Sequence, residues 1–373
     1  MRKFLRALVL AASGAASFLG QALAGDPFEF DWTELAPGVW AGVRPVSYES
    51  PPTGSTLIVI GKKGVFLFDP AGAPLVGERV AAKVAELTDL PVTHMAISHW
   101  HGDHSQGAYK ILEKYPDAEI IAHEFTARAI KSPLNAFEPP DEAANEETRR
   151  RIENALKTGK RSNGDPVTPE MRGYYENILT YFDLVNEQVR TLKPVNPTRT
   201  FKDALTIDLG GRKVELRHMG AGNTNGDIIA YLPKEKILAT GDIVVRPTPY
   251  GFHSHPRSWI GVLEQLKTIP ATRIMPGHGD LMTDTAYFDL LIDALRFVAD
   301  NVDRLAAEGK SLEETRAALD WSPIEARFTG GDPLLALFFD GWFKTPIVEA
   351  EYEIAHGEDS EDLNPPADQE DGQ

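Results

Sequence analysis

Six consecutive residues, His99-Trp100-His101-Gly102-Asp103-His104, hold three imidazoles and one carboxylate. Side chains of an extended segment alternate, so His99 and His101 point to the same side. Gly102 lets the chain turn, and Asp103 and His104 then aim at a second point. Imidazole nitrogen with carboxylate oxygen is a ligand set for zinc or a similar transition metal. The spacing offers two adjacent half-sites rather than one. A metal with an open position lowers the pKa of bound water from about 16 to about 7 and stabilises the oxyanion formed on attack. The chemistry expected of this run is therefore hydrolysis at a carbonyl or phosphoryl centre.

Three later segments carry further ligand-type residues: Gly220-Ala221-Gly222-Asn223-Thr224-Asn225-Gly226-Asp227, then Ala239-Thr240-Gly241-Asp242, then Met275-Pro276-Gly277-His278-Gly279. Each is a common kind of loop sequence on its own. Their order, and their placement after strand-like runs, makes them a set.

The elements that must position these residues are legible in the hydrophobic pattern. Apolar runs at 56–60 and 65–68, split by Gly61-Lys62-Lys63-Gly64, read as a hairpin. Residues 77–87 have helical periodicity through Val80, Val84 and Leu87. Residues 92–97 form the next strand, with the histidine run at its end, followed by a helix at 107–115 and a strand at 119–122. Hairpins follow at 206–209 with 213–218, and at 227–232 with 237–240. Helices are expected at 259–268, 287–305 and 311–319, and a short strand at 273–275. This alternation argues for an α/β class. Residues 124–200 break the rhythm with charged, helix-prone segments at 141–157 and 168–192. Met171, Tyr175, Ile178, Phe182, Val185 and Val189 make a core-type stripe on the second. The segment is expected to be a helical insertion packed on the main domain, with a lid role as one option.

Composition bounds the rest. The chain has 373 residues, a formal net charge of -17 and no cysteine. It has neither the basic patches of a nucleic-acid partner nor thiols for disulfides, zinc ribbons or catalysis. Residues 1–24 have the pattern of a secretory signal: Arg2, Lys3 and Arg6, an apolar stretch at 7–19 too short for a good membrane span, and Ala22-Leu23-Ala24 before Gly25. A periplasmic or secreted bacterial protein follows as the expectation, with no stable membrane anchor after cleavage. The domain division is then a signal at 1–24, one domain over 25–348 with its insertion at about 124–200, and an acidic disordered tail at 349–373.

Together these motifs resemble the metallo-β-lactamase-fold hydrolase superfamily, over about residues 35–345. Phe68-Asp69-Pro70 fits the family's structural aspartate. The resemblance implies an α/β (α+β) fold, a four-layer αβ/βα sandwich with two zinc ions bridged by a hydroxide. It implies that His99 and His101 bind the first metal, Asp103, His104 and His278 the second, and that Asp242 bridges them. An oxygen bridge is more similar to the lactonase, glyoxalase and phosphodiesterase branches than to the cysteine-containing lactamases.

One position departs from the family pattern, because Asn223 stands where the third histidine of the first metal is usual. Three arrangements are compatible: a first site weakened or assisted by the Asn223 carbonyl, which is preferred; recruitment of His218, His253 or His255; or a single occupied second site. Zinc is expected, at one or two ions per chain. Asp103 is the expected proton-handling catalytic residue, and Asn223 an alternative donor to a substrate oxygen. Trp100, Tyr250, Phe252, His253 and His255 are expected to line the substrate pocket, with Trp259 on its rim. The resulting expectation is an exported zinc-dependent hydrolase of a small lactone, ester or β-lactam. An iron-dependent oxidoreductase of the same fold and a non-catalytic metal-binding protein are the rivals. The sequence leaves the oligomeric state open.

Overall fold

A computed structural model describes residues 26–44, 53–70, 72–132, 141–358 and Glu361. The expected signal segment, and most of the acidic tail, lie outside the described residues.

The first half of the chain builds one sheet. Its strands are β1 (Asp31–Ala36), β2 (Val39–Val43), β3 (Thr56–Ile60), β4 (Val65–Phe68), β5 (Val92–Ala96), β6 (Glu119–His123) and β7 (Arg199–Phe201), adjacent in that order. The first four are antiparallel neighbours, and β4 to β7 run parallel. Parallel neighbours need crossovers, supplied by α1 (Pro74–Leu87), α2 (Ala108–Lys114) and the insertion with α3 (Glu124–Ala129), α4 (Glu142–Thr158) and α5 (Pro169–Arg190). The second half builds the other sheet from β8 (Ala204–Asp208), β9 (Lys213–His218), β10 (Ile228–Leu232), β11 (Ile237–Ala239) and β12 (Arg273–Met275), with α6 (Pro256–Leu266) between the last two. Then come α7 (Ala286–Ala307), α8 (Leu312–Ala318), α9 (Ser322–Thr329), α10 (Pro333–Phe338), a π-helical turn Phe339–Lys344, and α11 (Thr345–Ala355).

The four layers follow from which side chains are buried. Leu57, Phe66 and Phe68 meet Leu216, Ala230 and Leu232 in a core between the two sheets. Val76, Val80, Val84 and Ile111 of α1 and α2 cover the outer face of the first sheet against Leu67 and Met95. Trp259, Leu263, Leu291 and Leu295 of α6 and α7 cover the second against Ile229 and Leu238. A strand buried on both faces reads as a continuous apolar run, and all of Val65–Phe68 is buried. Pro74 at the start of α1 has its φ set for a helix and needs no N–H partner there. Ser311 and Glu314 form a capping box on α8.

Three expectations need correction. The stripe on α5 is not core: Met171 and Phe182 are buried, and the other four positions are partly exposed. Tyr175, Ile178, Val185 and Val189 instead line, with α4, a pocket of about 550 Å³. Met171 packs on Leu334, Leu335 and Phe338 of α10, so the insertion is clamped to the C-terminal helices. The acidic segment expected to be disordered from residue 349 begins inside α11, where Glu351 is fully buried and its carboxylate lies 2.9 Å from Arg257 Nε. Trp259 is not on a rim; it is fully buried and its indole donates to the Ile243 carbonyl.

Candidate metal centre

The ligand-type residues sit on loops that leave the C-terminal ends of strands, the usual place for a site in an open α/β sheet. Asp69 follows β4, His99 to His104 follow β5, Asp242 follows β11 and His278 follows β12. Gly102–His104 and Gly241–Ile243 are single 3₁₀ turns that swing Asp103, His104 and Asp242 inward.

Two clusters result. His99, His101 and Asp242 form one, and Asp103, His104 and His278 form the other; within each, one ligand atom per residue lies within 4.8 Å of the others. Asp242 stands between them. Its Oδ2 lies 3.7 Å from His99 Nε2, and its Oδ1 lies 3.1 Å from His104 Nε2 and 3.6 Å from His278 Nε2. Asp103 Oδ2 is 3.0 Å from His278 Nε2.

The rings are aimed by their other nitrogens. His99 Nδ1 pairs with Ser98 Oγ at 2.8 Å, which turns Nε2 toward the centre. His104 Nδ1 pairs with Asp69 Oδ2 at 3.0 Å, and Asp69 Oδ1 also accepts the Ser98 N–H at 2.7 Å. Carboxylate and hydroxyl partners of this kind fix the tautomer of a metal-ligating histidine. Close backbone approach is needed as well. A Cβ on Gly277 would lie 1.9 Å from Asp242 Oδ1, and one on Gly54 would lie 2.5 Å from His104 Cε1.

The donor atoms fit a cation. No hydrogen bond reaches buried His99 Nε2 or either Asp242 oxygen, although His104 Nε2 comes close to one of them without alignment. Orphaned buried polar atoms are rare and call for a partner. His104 Nε2 and His278 Nε2 face each other at 3.2 Å, both turned toward the Asp242 carboxylate. Electrostatics points the same way. Burial, reinforced by the neighbouring imidazoles, pushes His99 well below its usual pKa. Burial also lowers His101, against the pull of Asp103 and Asp242. Burial would lower His104 too, but Asp242, Asp103 and Asp69 outweigh it and raise that imidazole well above its usual pKa. A proton there takes the part of the cation the carboxylates are built to hold. Burial would raise Asp103, yet His104, His278 and His101 hold its carboxyl below the ordinary range.

Asn223 is fully buried. Its Nδ2 donates to the Tyr250 carbonyl at 3.1 Å, and its Oδ1 has no hydrogen-bond partner. The free end of the amide is an acceptor, which disfavours the expectation that Asn223 donates to a substrate. Its loop is shaped by Asp227, whose oxygens accept from the Thr224 N–H at 3.0 Å and the Thr224 hydroxyl at 2.7 Å. Burial pushes the Asp227 carboxyl up to about 8 despite those bonds. None of the three spare histidines joins either cluster. His218 stacks on His123 at 4.1 Å and pairs with the Asp227 carbonyl. His253 is exposed and packs 5.9 Å from Trp100. His255 pairs with Glu361.

The expected pocket-lining residues divide. Tyr250 is buried with its ring 5.0 Å from His278 and 5.2 Å from Trp342. Phe252 is the large apolar side chain that stands exposed among the described residues. Trp100 is 5 % exposed, so it is a wall and not a rim, and its ring packs 4.5 Å from His101. Ser98, Gly54, Trp342 and Glu361 went unnoticed in the sequence. A small residue or a lone acid far along the chain carries no pattern, and only Ser98, next to the histidine run, had a signal to find.

A family model described as the metallo-beta-lactamase superfamily matches residues 51–278. A linear primary-alkylsulfatase from a Pseudomonas species is 21% identical over 292 residues, which are 72% of this chain and 50% of that protein. A metallo-beta-lactamase type 2 from Bacteroides fragilis is 33% identical over 112 residues, 28% of this chain and 43% of that protein. The chain thus matches half or less of the length of either. Among solved structures, the stereoselective inverting sec-alkylsulfatase Pisa1 from Pseudomonas sp. superposes with a TM-score of 0.58 at 16% identity, covering 87% of this chain and 50% of that one. At that identity the likeness concerns the fold.

Proposed function

The chain belongs to the metallo-beta-lactamase superfamily, and from that premise we propose that it is an exported zinc-dependent hydrolase of a small lactone, ester or β-lactam. The observation that carries this is the pair of buried clusters, His99-His101-Asp242 and Asp103-His104-His278, with Asp242 between them. A zinc ion held there would supply Lewis acidity, easing deprotonation of water and polarising the carbonyl whose carbon is attacked.

The protein's own groups do the rest. His99 and His101, kept neutral by burial, offer lone pairs and not protons. Asp103 is partly exposed at the cleft and held ionised, so it can take a proton from water and pass it to the leaving group. Asn223 Oδ1 is the oxygen available where the family pattern has an imidazole, which supports a weaker first site. Tyr250, its ring 5.0 Å from His278, gives the centre an apolar wall.

The carbonyl substrates expected from the sequence are a lactone, a carboxylic ester or a β-lactam. A second class, sulfate esters, is favoured by the alkylsulfatase match, which extends over most of this chain. Elemental analysis with a panel of lactone, carboxylic ester, β-lactam and primary and secondary alkyl sulfate tests the proposal. Zinc at one to two atoms per chain and turnover of a panel member is the expected result. Iron at one atom per chain sinks the zinc assignment in favour of an oxidoreductase, and a protein that binds no metal sinks both.

A further inference from the structure

A carboxylate from far along the chain is buried beside the metal clusters. Glu361 is 1 % exposed and lies in a turn, outside any helix or strand. Its Oε1 accepts the indole N–H of Trp100 at 2.5 Å. Its Oε2 accepts the backbone N–H of Asn225 and lies 2.9 Å from His255 Nε2. These donors come from separate loops, and each loop belongs to the site. Trp100 stands between two ligand histidines and packs against His101. Asn225 is two residues beyond Asn223. The His255 N–H donates to the Gly222 carbonyl at 2.9 Å, tying it to the same glycine-rich loop.

Donors that converge on both oxygens of one carboxylate make a forked oxyanion cradle. Left empty, these donors, of which Trp100 is buried and the other two half-buried, would each forfeit a hydrogen bond. The cradle therefore has a standing demand for an oxyanion whether or not Glu361 is the one that fills it. Glu361 lies beyond the last helix among the described residues, which ends at Ala355. We propose that Trp100 Nε1, the Asn225 amide and His255 form an oxyanion-binding pocket at the edge of the cleft. The chain's own Glu361 fills it as a tethered competitor for the carboxylate or sulfate group of an anionic substrate. The pocket abuts the first metal cluster through Trp100, whose ring packs 4.5 Å from that of His101. An anionic substrate seated there would be held next to the reacting centre and would have to displace the Glu361 carboxylate first.

The inference rests on the cleft being a hydrolytic site, and its test needs no turnover. Full-length protein, Glu361→Gln, and Glu361→Gln combined with Trp100→Phe are titrated by calorimetry with sodium sulfate and, separately, with sodium acetate. Glu361→Gln is expected to bind one of these anions with half-saturation at least tenfold below the unmodified chain, and Trp100→Phe is expected to abolish the gain. A chain ending at Gly357 should reproduce the gain, which covers the case in which Glu361→Gln disturbs folding. The anion bound more tightly identifies the headgroup class. Equal half-saturation in all proteins, or a gain that survives Trp100→Phe, overturns the pocket. Tightened binding in a protein that hydrolyses nothing upholds the pocket and sinks the hydrolase. Hydrolysis with unchanged anion binding does the reverse.

Discussion

At the scale of single residues, the centre is asymmetric. His104 is oriented by Asp69 and faces both His278 and Asp242, whereas the cluster of His99 and His101 has only the Asp242 carboxylate beside its two imidazoles. Asn223→His is therefore expected to raise the metal content toward two per chain, read by elemental analysis; an unchanged ratio would show that the first cluster is already filled. His104→Ala and Asp242→Ala should lose more metal than His255→Ala, because His255 is bonded to Glu361 and stands in neither cluster. Asp69→Ala should weaken metal affinity by about 10–100-fold, the usual effect of removing the partner that orients a ligand. A competition titration with a chelator measures it, and an affinity within twofold of the unmodified chain would deny Asp69 that role. The six ligand-type residues were all legible, because imidazoles and carboxylates at the ends of apolar runs stand out in a sequence. The pairing of Asn223 with Tyr250, and the reach of Glu361 to Trp100, were not, since both depend on where distant loops come to lie.

At the scale of elements, the site depends on how closely loops approach. Gly277 gives Asp242 its place, and Gly277→Ala puts a methyl where the carboxylate oxygen lies. That variant should lose most bound metal while keeping its far-ultraviolet circular dichroism, whereas retained metal would mean that the loop can yield. The hairpins were readable to within a residue or two, as at 56–60 and 65–68, since Gly61 and Gly64 punctuate a doubly buried apolar run. The helices from 322 to 355 were not anticipated. They are short, rich in aromatics and packed on one another through Phe328, Phe339 and Phe343, so they carry little periodic signal of their own. Trp259 was misjudged for a related reason: an aromatic near a loop looks the same in sequence whether it faces solvent or core.

At the scale of the molecule, the last helix is fastened by a buried acid. Burial pushes the Glu351 carboxyl up to about 7, against the pull of Arg257 and with Asp303 adding to the rise. A folded-state pKa raised above the unfolded value contributes stability that is fully present below about pH 4.5 and is lost as pH rises through about 7. Glu351→Gln is expected to flatten the pH dependence of the denaturation midpoint across that window; an unaltered slope would remove Glu351 from the account. Metal should also stabilise the whole fold, by about 4 kcal/mol at a thousandfold excess over its dissociation constant. The rise in thermal midpoint on adding zinc should vanish in His104→Ala combined with Asp242→Ala.

The division of ligands between the two sheets has a consequence for how the protein comes into being. His99, His101, Asp103 and His104 belong to the first half, and Asp242 and His278 to the second. A nascent chain that has emerged only through its histidine run carries a set of ligands with no site to belong to. The centre comes into existence when the two halves close on each other, so capture of an ion certifies that the fold is complete.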